Sequence, residues 1–213
     1  MPNFRTTVDD FAYVEVNGVK SKILKVEKLA SFDTSLLDLG DVRKTAIATD
    51  SIAAVFDLEG FTNFCKQIEP HLSVPLFLSQ FLEWLMGELK SEMIQKTVTE
   101  GAMLWSPLPF FTKFMGDGLL VLWDVSKSGD AARCNIVISS TNICKKYREE
   151  FLPKIRSKVV EPPPVLRCGI ARGTIYSVGD GNDYIGSCIN MAARLQKIPG
   201  LSFAFNLRGF DLD

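Results

Sequence analysis

The run "SIAAVFDL" at positions 51–58 constrains this chain more than any other stretch. It is apolar until Asp57, has no helix cap and is too short for a buried helix, so it reads as a buried strand ending at a carboxylate. Two further apolar runs, "FFTKFM" and "LLVLWDV", flank Gly116-Asp117-Gly118. That pattern predicts a β-hairpin with a polar tip. If the strand and the hairpin are neighbours, Asp57 and Asp117 come close together.

Other segments supply the partners such a strand needs. Glu59-Gly60 turns the chain into a helix predicted over "FTNFCKQI" and stopped by Pro70. A longer helix follows at about 73–96, where Phe77, Phe81, Trp84, Leu85 and Leu89 recur at three- and four-residue intervals and form a face for a sheet. Asp130 opens a helix of roughly 25 residues, and the prolines at 162–164 close the linker after it. "VLRCGIARGTIYSVGDG" reads as two short strands broken by Gly173, "YIGSCINMAARLQKI" as a helix, and "LSFAFNL" as a last strand. The expected fold class is α+β, a mostly antiparallel sheet with helices on one face. Residues 1–45 read as an N-terminal arm carrying one strand near "DFAYVEV", ahead of a main domain over 46–213.

Composition narrows the functional classes. The chain has 213 residues, 46% of them hydrophobic, enough to bury a core. With 24 basic and 25 acidic residues it lacks the broad positive field that nonspecific nucleic-acid binding requires. Any anion must therefore be held locally, and no nucleic-acid partner is expected. The start "MPNFRTTVDDFAYVEV" lacks the regions of a signal peptide, and no apolar window is long and uncharged enough to cross a bilayer. Cys65, Cys134, Cys144, Cys168 and Cys188 are odd in number and include no CxxC pair. Reduced thiols in a cytoplasmic protein, without a membrane partner, are the expectation.

Three groups of residues have chemical potential. Asp57 and Asp117 repel each other at short range unless a cation lies between them, and oxygen donors of this kind suit Mg²⁺ or Mn²⁺ shared with substrate phosphates. Each alone also fits a plainer role, Asp57 as a helix cap and Asp117 as a turn residue. The turn Leu58, Glu59, Gly60, Phe61, Thr62 presents backbone N–H groups to an anion such as a triphosphate. Asn190 and Arg194, four apart, share one helix face and could hold a ribose and an α-phosphate, or could simply be solvated. His71, the only histidine, reads as a structural loop residue.

Taken together and in order, "FDLEGFT", "KFMGDG" and "DYIGSCINMAARL" resemble the catalytic domain of the class III nucleotidyl cyclases over about residues 50–206. The resemblance implies a palm-like, ferredoxin-like βαββαβ core. It implies two divalent metal ions held by Asp57, the Leu58 backbone and Asp117, with the backbone of Leu58 to Thr62 cradling phosphates. Asn190 then orients the ribose, Arg194 stabilises the transition state, and Lys113 with Asp183 reads the base. It also implies a homodimer with sites across the interface, each subunit completing the other's, and a reaction that closes a 3′,5′-cyclic nucleotide with release of pyrophosphate.

Lys113 donates and Asp183 accepts, which suits adenine and cytosine, and also uracil, whose N3–H would go to the aspartate and a carbonyl to the lysine. Guanylate cyclases of the family usually carry different residues here, so the resemblance makes GTP the least favoured substrate. "FDLEGFTNFCKQIEPHLSVPLFL" looks like the stand-alone pyrimidine cyclases of bacterial antiphage defence, the Pycsar type, whose product activates a separate effector. That likeness favours UTP, then CTP. An ATP-specific adenylate cyclase and an inactive cyclase-homology domain are the alternatives. A diguanylate cyclase is disfavoured because "MGDGL" is not its hairpin-tip motif. The C-terminal lysine hairpin of many family members is short or absent here, so Arg208, Lys197 or another basic residue must take the terminal phosphates.

Overall fold

A computed structural model of the chain describes residues 4–210. In chain order, a 3₁₀ turn Val8–Asp10 leads into β1 (Phe11–Val16), β2 (Val19–Leu24), α1 (Val26–Ala30) and a second 3₁₀ turn, Thr34–Leu37. Then come β3 (Ala48–Glu59), α2 (Phe61–Phe64), α3 (Pro70–Met93), β4 (Ile94–Val98), β5 (Gly101–Leu104), β6 (Phe111–Phe114) and β7 (Gly118–Asp124). The remainder is α4 (Asp130–Lys146), a π turn Tyr147–Phe151, α5 (Leu152–Ile155), β8 (Val165–Val178), β9 (Asp183–Ile185), α6 (Ser187–Leu195) and β10 (Phe203–Phe205).

These elements divide into two compact units. One comprises residues up to Ile47 with Tyr176–Ile185, the other Ala48–Ile175 with Gly186 onward. In the first, β1 and β2 form an antiparallel hairpin in which Phe11 faces Leu24, where a single strand was expected. The end of β8, Tyr176–Val178, pairs antiparallel with β9. The segment before Ala48 is tied to these strands: Asp180 N–H donates to the Leu39 carbonyl at 2.9 Å, and Ile47 N–H to Ser177 Oγ at 2.8 Å. Lys44 and Asp180 form an ion pair.

The second unit holds the main sheet, with strand order β10-β8-β3-β7-β6. The pairs β3–β7 and β6–β7 are antiparallel, and β10 adds a parallel edge to β8. Without that edge, the strands and their intervening helices run β3–α3–β6–β7–α4–β8, the expected βαββαβ order. Alternation along β3 sorts its side chains by face. Ile52, Ala54, Phe56 and Leu58 join one buried cluster with Phe77, Phe81, Leu85, Leu89 and Met93 of α3 and Ile136 and Ile143 of α4. Ala53 and Val55 are equally buried but face the other way.

That second face is covered by α6. The position where a Cβ of Gly169 would sit lies 2.5 Å from the Gln196 nitrogen and 3.0 Å from the Leu195 Cβ, so only glycine lets the helix end approach β8 this closely. The helices thus cover both faces, α3 and α4 one and α6 the other. The short α6 buries Cys188 and Ala192.

Three further element boundaries differ from the sequence reading. Pro70 starts α3 rather than stopping its predecessor, because proline is well tolerated at a first helical position. His71 is therefore an exposed residue in the first turn of α3, not in a loop. The helix ends at Met93, where the i, i+4 stripe stops, and the β-branched residues beyond it pair as the hairpin β4–β5. Gly173 does not break its strand: β8 is continuous over Val165–Val178. The long helix from Asp130 is continued by the π turn, which places Tyr147 and Phe151 in the core, and the buried Tyr147 hydroxyl donates to the Pro163 carbonyl at 2.6 Å.

Candidate active site

β3 and β7 set the relation between the two aspartates. Their register pairs Asp57 with Gly118, so Asp117 stands one residue beyond the end of the ladder, beside Leu58. The Leu58 N–H donates to the Asp117 carbonyl at 3.0 Å, and the Met115 N–H to the Gly118 carbonyl at 2.9 Å, closing the hairpin tip. Gly118 is required here for space: an added Cβ would lie 2.0 Å from the Phe56 carbonyl oxygen. The glycine therefore lets the hairpin close on β3 and bring Asp117 next to Asp57.

Both aspartates are half-buried and line one open cleft of about 380 Å³. Gly60, Phe61 and Thr62 form its backbone side, with Gly60 in the left-handed conformation (φ 81°) that turns the chain from β3 into α2. Arg167 of β8 and Ala193, Gln196 and Lys197 from α6 and its end complete it. Leu58 also lines the cleft, but its side chain is in the core and its N–H is committed to Asp117. Its carbonyl is what it could offer a cation, and it cannot donate to a phosphate as part of the cradle. Glu59 is exposed and lines a neighbouring cleft with Lys145 and Arg148 instead. A larger cleft of about 900 Å³ shares Gly60 but holds neither aspartate.

Sequence reasoning missed Arg167. Its Nη2 lies 2.5 Å from Asp57 Oδ2, so a guanidinium already neutralises one carboxylate. The only local signal was an arginine inside an apolar strand, 110 residues from its partner. Of the basic residues considered for the terminal phosphates, Lys197 lines the aspartate cleft, whereas Arg208 lines another with Asp50 and Arg172.

Asn190 and Arg194 are exposed on α6, on the side away from its buried Cys188 and Ala192. Neither lines the aspartate cleft of its own chain. Lys113 is half-buried in the middle of β6, opposite Leu120 of β7. Asp183 begins β9 in the other compact unit, where its Oδ1 accepts from the Tyr184 N–H at 2.9 Å.

The donor set suits a hard divalent cation. Two carboxylates from adjacent strands line the cleft together with Leu58, and a cationic side chain on Asp57 shows that this position favours positive charge. Among the described residues no group of three or more His, Cys, Asp or Glu forms a complete ligand cage, so phosphate or water oxygens must fill any further positions.

No protein-family model matches the chain, and no curated protein matches it in sequence. Solved structures do. The guanylyl cyclase Cya2 is similar over 72% of this chain and 72% of its own, at 17% identity with a TM-score of 0.53. The chain shares the class III cyclase fold. Weaker likenesses are the guanylate cyclase domain of RhGC from Catenaria anguillulae in complex with GTP (18% identity, 71% and 74% covered, TM-score 0.49) and a class III adenylyl cyclase-like ATP-binding protein from Pseudomonas aeruginosa (16% identity, 78% and 36% covered, TM-score 0.44). The fold assignment rests on the first. No disulfide joins the cysteines among the described residues, and no described helix is long and apolar enough to cross a membrane.

Proposed function

We propose that this protein is a nucleotidyl cyclase that converts a nucleoside triphosphate to its 3′,5′-cyclic form and pyrophosphate. The observation that carries the reading is the pairing of Asp57 with Asp117 in one cleft, beside the Gly60 turn and the cationic Arg167 and Lys197. Asp57, Asp117 and the Leu58 carbonyl would hold two divalent cations, Mn²⁺ or Mg²⁺. Bound there, such ions supply Lewis acidity to the ribose 3′-hydroxyl and neutralise phosphate charge. The N–H groups of Phe61 and Thr62 at the start of α2 face the phosphates, and Lys197 takes the terminal one. Asn190 and Arg194, outward on α6, serve the cleft of a second copy, where Asn190 orients the ribose and Arg194 takes up charge as it develops at the α-phosphate. Positioning and electrostatics carry most of such a transfer, so no side-chain base is assigned.

The substrate we propose is a pyrimidine nucleotide, UTP before CTP, read by Lys113 and Asp183, with the product activating a separate effector in antiphage defence. This finer reading is supported by the likeness of residues 56–78 to the Pycsar-type enzymes. The test is incubation of the purified protein with ATP, GTP, CTP and UTP in turn with Mn²⁺, identifying products by mass. Cyclic UMP or cyclic CMP is expected. Cyclic AMP alone would move the assignment to adenylate cyclase, and no product from any nucleotide would favour an inactive cyclase-homology domain. Asp117→Ala should lower product formation by at least the ~10–100-fold that loss of even an outer-shell partner costs a metal site; unchanged turnover would end the two-metal reading.

A further inference from the structure

The ion pair on Asp57 is accompanied by two polar atoms without partners. Arg167 Nε and Gln196 Oε1 are both buried and neither has a hydrogen-bond partner. Gln196 is only 4% exposed, and the Arg167 and Asp57 side chains are 21% and 15% exposed. The two orphaned atoms belong to neighbouring residues. The Gln196 backbone nitrogen abuts the Cβ position of Gly169, and Arg167 is the next residue on that same face of β8. Both residues line the aspartate cleft. An unused guanidinium donor and an unused amide acceptor thus belong to residues that line the same cleft, a situation that buried polar groups ordinarily avoid.

We propose that Arg167 is a latch that takes the place of the divalent cation on Asp57 in the resting protein and is exchanged when the cation binds. The guanidinium holds the Asp57 carboxylate in place through their ion pair. When the cation takes Asp57, two positive charges cannot share the carboxylate at short range, and the guanidinium turns away. Gln196 Oε1 is the acceptor waiting for it, so the released Arg167 regains a hydrogen bond inside the cleft. Gln196 acts through Arg167 and is a positioning residue. The latch rests on the reading of Asp57 as a metal ligand.

Mn²⁺ binding to the purified full chain, followed by the electron paramagnetic resonance signal of free Mn²⁺, tests this without reference to turnover. Arg167→Gln removes the competitor and should tighten Mn²⁺ binding about tenfold, ~1.4 kcal/mol. Gln196→Leu removes the acceptor for the released guanidinium and should weaken binding about threefold, the effect of one lost hydrogen bond. In the double variant the Gln196 effect should vanish, because it acts only through Arg167. Gln196→Leu leaves the ion pair intact, so the test remains open if Arg167→Gln does not fold. Unchanged or weaker binding by folded Arg167→Gln, or an additive Gln196 effect, would overturn the latch while leaving the metal reading standing. If Asp57→Asn binds Mn²⁺ as the unaltered protein does, the metal reading falls and the latch with it.

Discussion

Gly118→Ala adds one methyl group and changes no charge, yet it should disable the site. The new Cβ would sit 2.0 Å from the Phe56 carbonyl oxygen, 3.1 Å from the Phe56 carbonyl carbon and 3.2 Å from the Asp57 Cα. All three are backbone atoms of β3, so no side chain can yield. An ordinary contact begins near 3.4 Å, which means β3 and β7 must separate by about 1.4 Å at the point where they carry the two aspartates. The Leu58–Asp117 hydrogen bond, now 3.0 Å, would then be lost. Overpacking of this kind costs ~1–3 kcal/mol and the hydrogen bond about another 1, so the expected loss is roughly 2–4 kcal/mol. For a chain of this size that lowers the melting temperature by roughly 5–15 °C in a circular dichroism melt. Mn²⁺ binding should weaken in parallel. Gly116→Ala, at φ 98° but with nothing within 4 Å of its Cβ position, is the control: it should cost only the ~1–2 kcal/mol of a left-handed alanine. A Gly118→Ala protein that melts within about 2 °C of the unaltered one, and binds Mn²⁺ as well, would refute the close-packing argument.

Two further expectations concern the scaffold. Lys146 of α4 bonds Glu88 at 2.8 Å and Glu92 at 2.7 Å on α3, and these bonds, Glu88's first, push its pKa well above the usual lysine range. A raised pKa in the folded state means the contribution is complete below the ordinary lysine value of 10.5 and is lost only as pH rises beyond it toward the raised value. Lys146→Met should therefore lower stability by about 1 kcal/mol, with the difference in melting temperature constant from neutral pH to about pH 10; a difference that disappears by pH 9 would contradict the assignment. Gly87 lies inside α3 with open space at its Cβ position, so Gly87→Ala should raise stability by ~0.5–1 kcal/mol in a urea titration.

Much of the framework was legible because it is written in local periodicity. The apolar run of β3, the glycine-flanked hairpin and the i, i+4 stripe of α3 each specify an element without reference to the rest of the chain. The same holds for the paired carboxylates: an aspartate ending an apolar strand and another at a hairpin tip meet once the strands pair. Boundaries were less legible where one residue type serves two purposes. Proline both ends and begins helices, and Gly173 can break a strand or simply lie in it. The β4–β5 hairpin followed a helical pattern too closely to be separated from it.

What the sequence determined by itself, then, is β3, the β6–β7 hairpin, the long helices α3 and α4, and the two carboxylates at the strand ends, because these depend on contacts within a few residues or across one tight turn. What only the tertiary structure decided is what surrounds those carboxylates. Arg167 reaches Asp57 from a strand 110 residues away, and Gln196 enters the cleft because Gly169 lets the end of α6 press against β8. Neither contact leaves a periodic trace, since each depends on which strands are neighbours in the sheet and how closely a helix can approach it. The chemistry of the cleft is a property of that packing: the same two aspartates with a different neighbour on β8 would have no resident cation to displace.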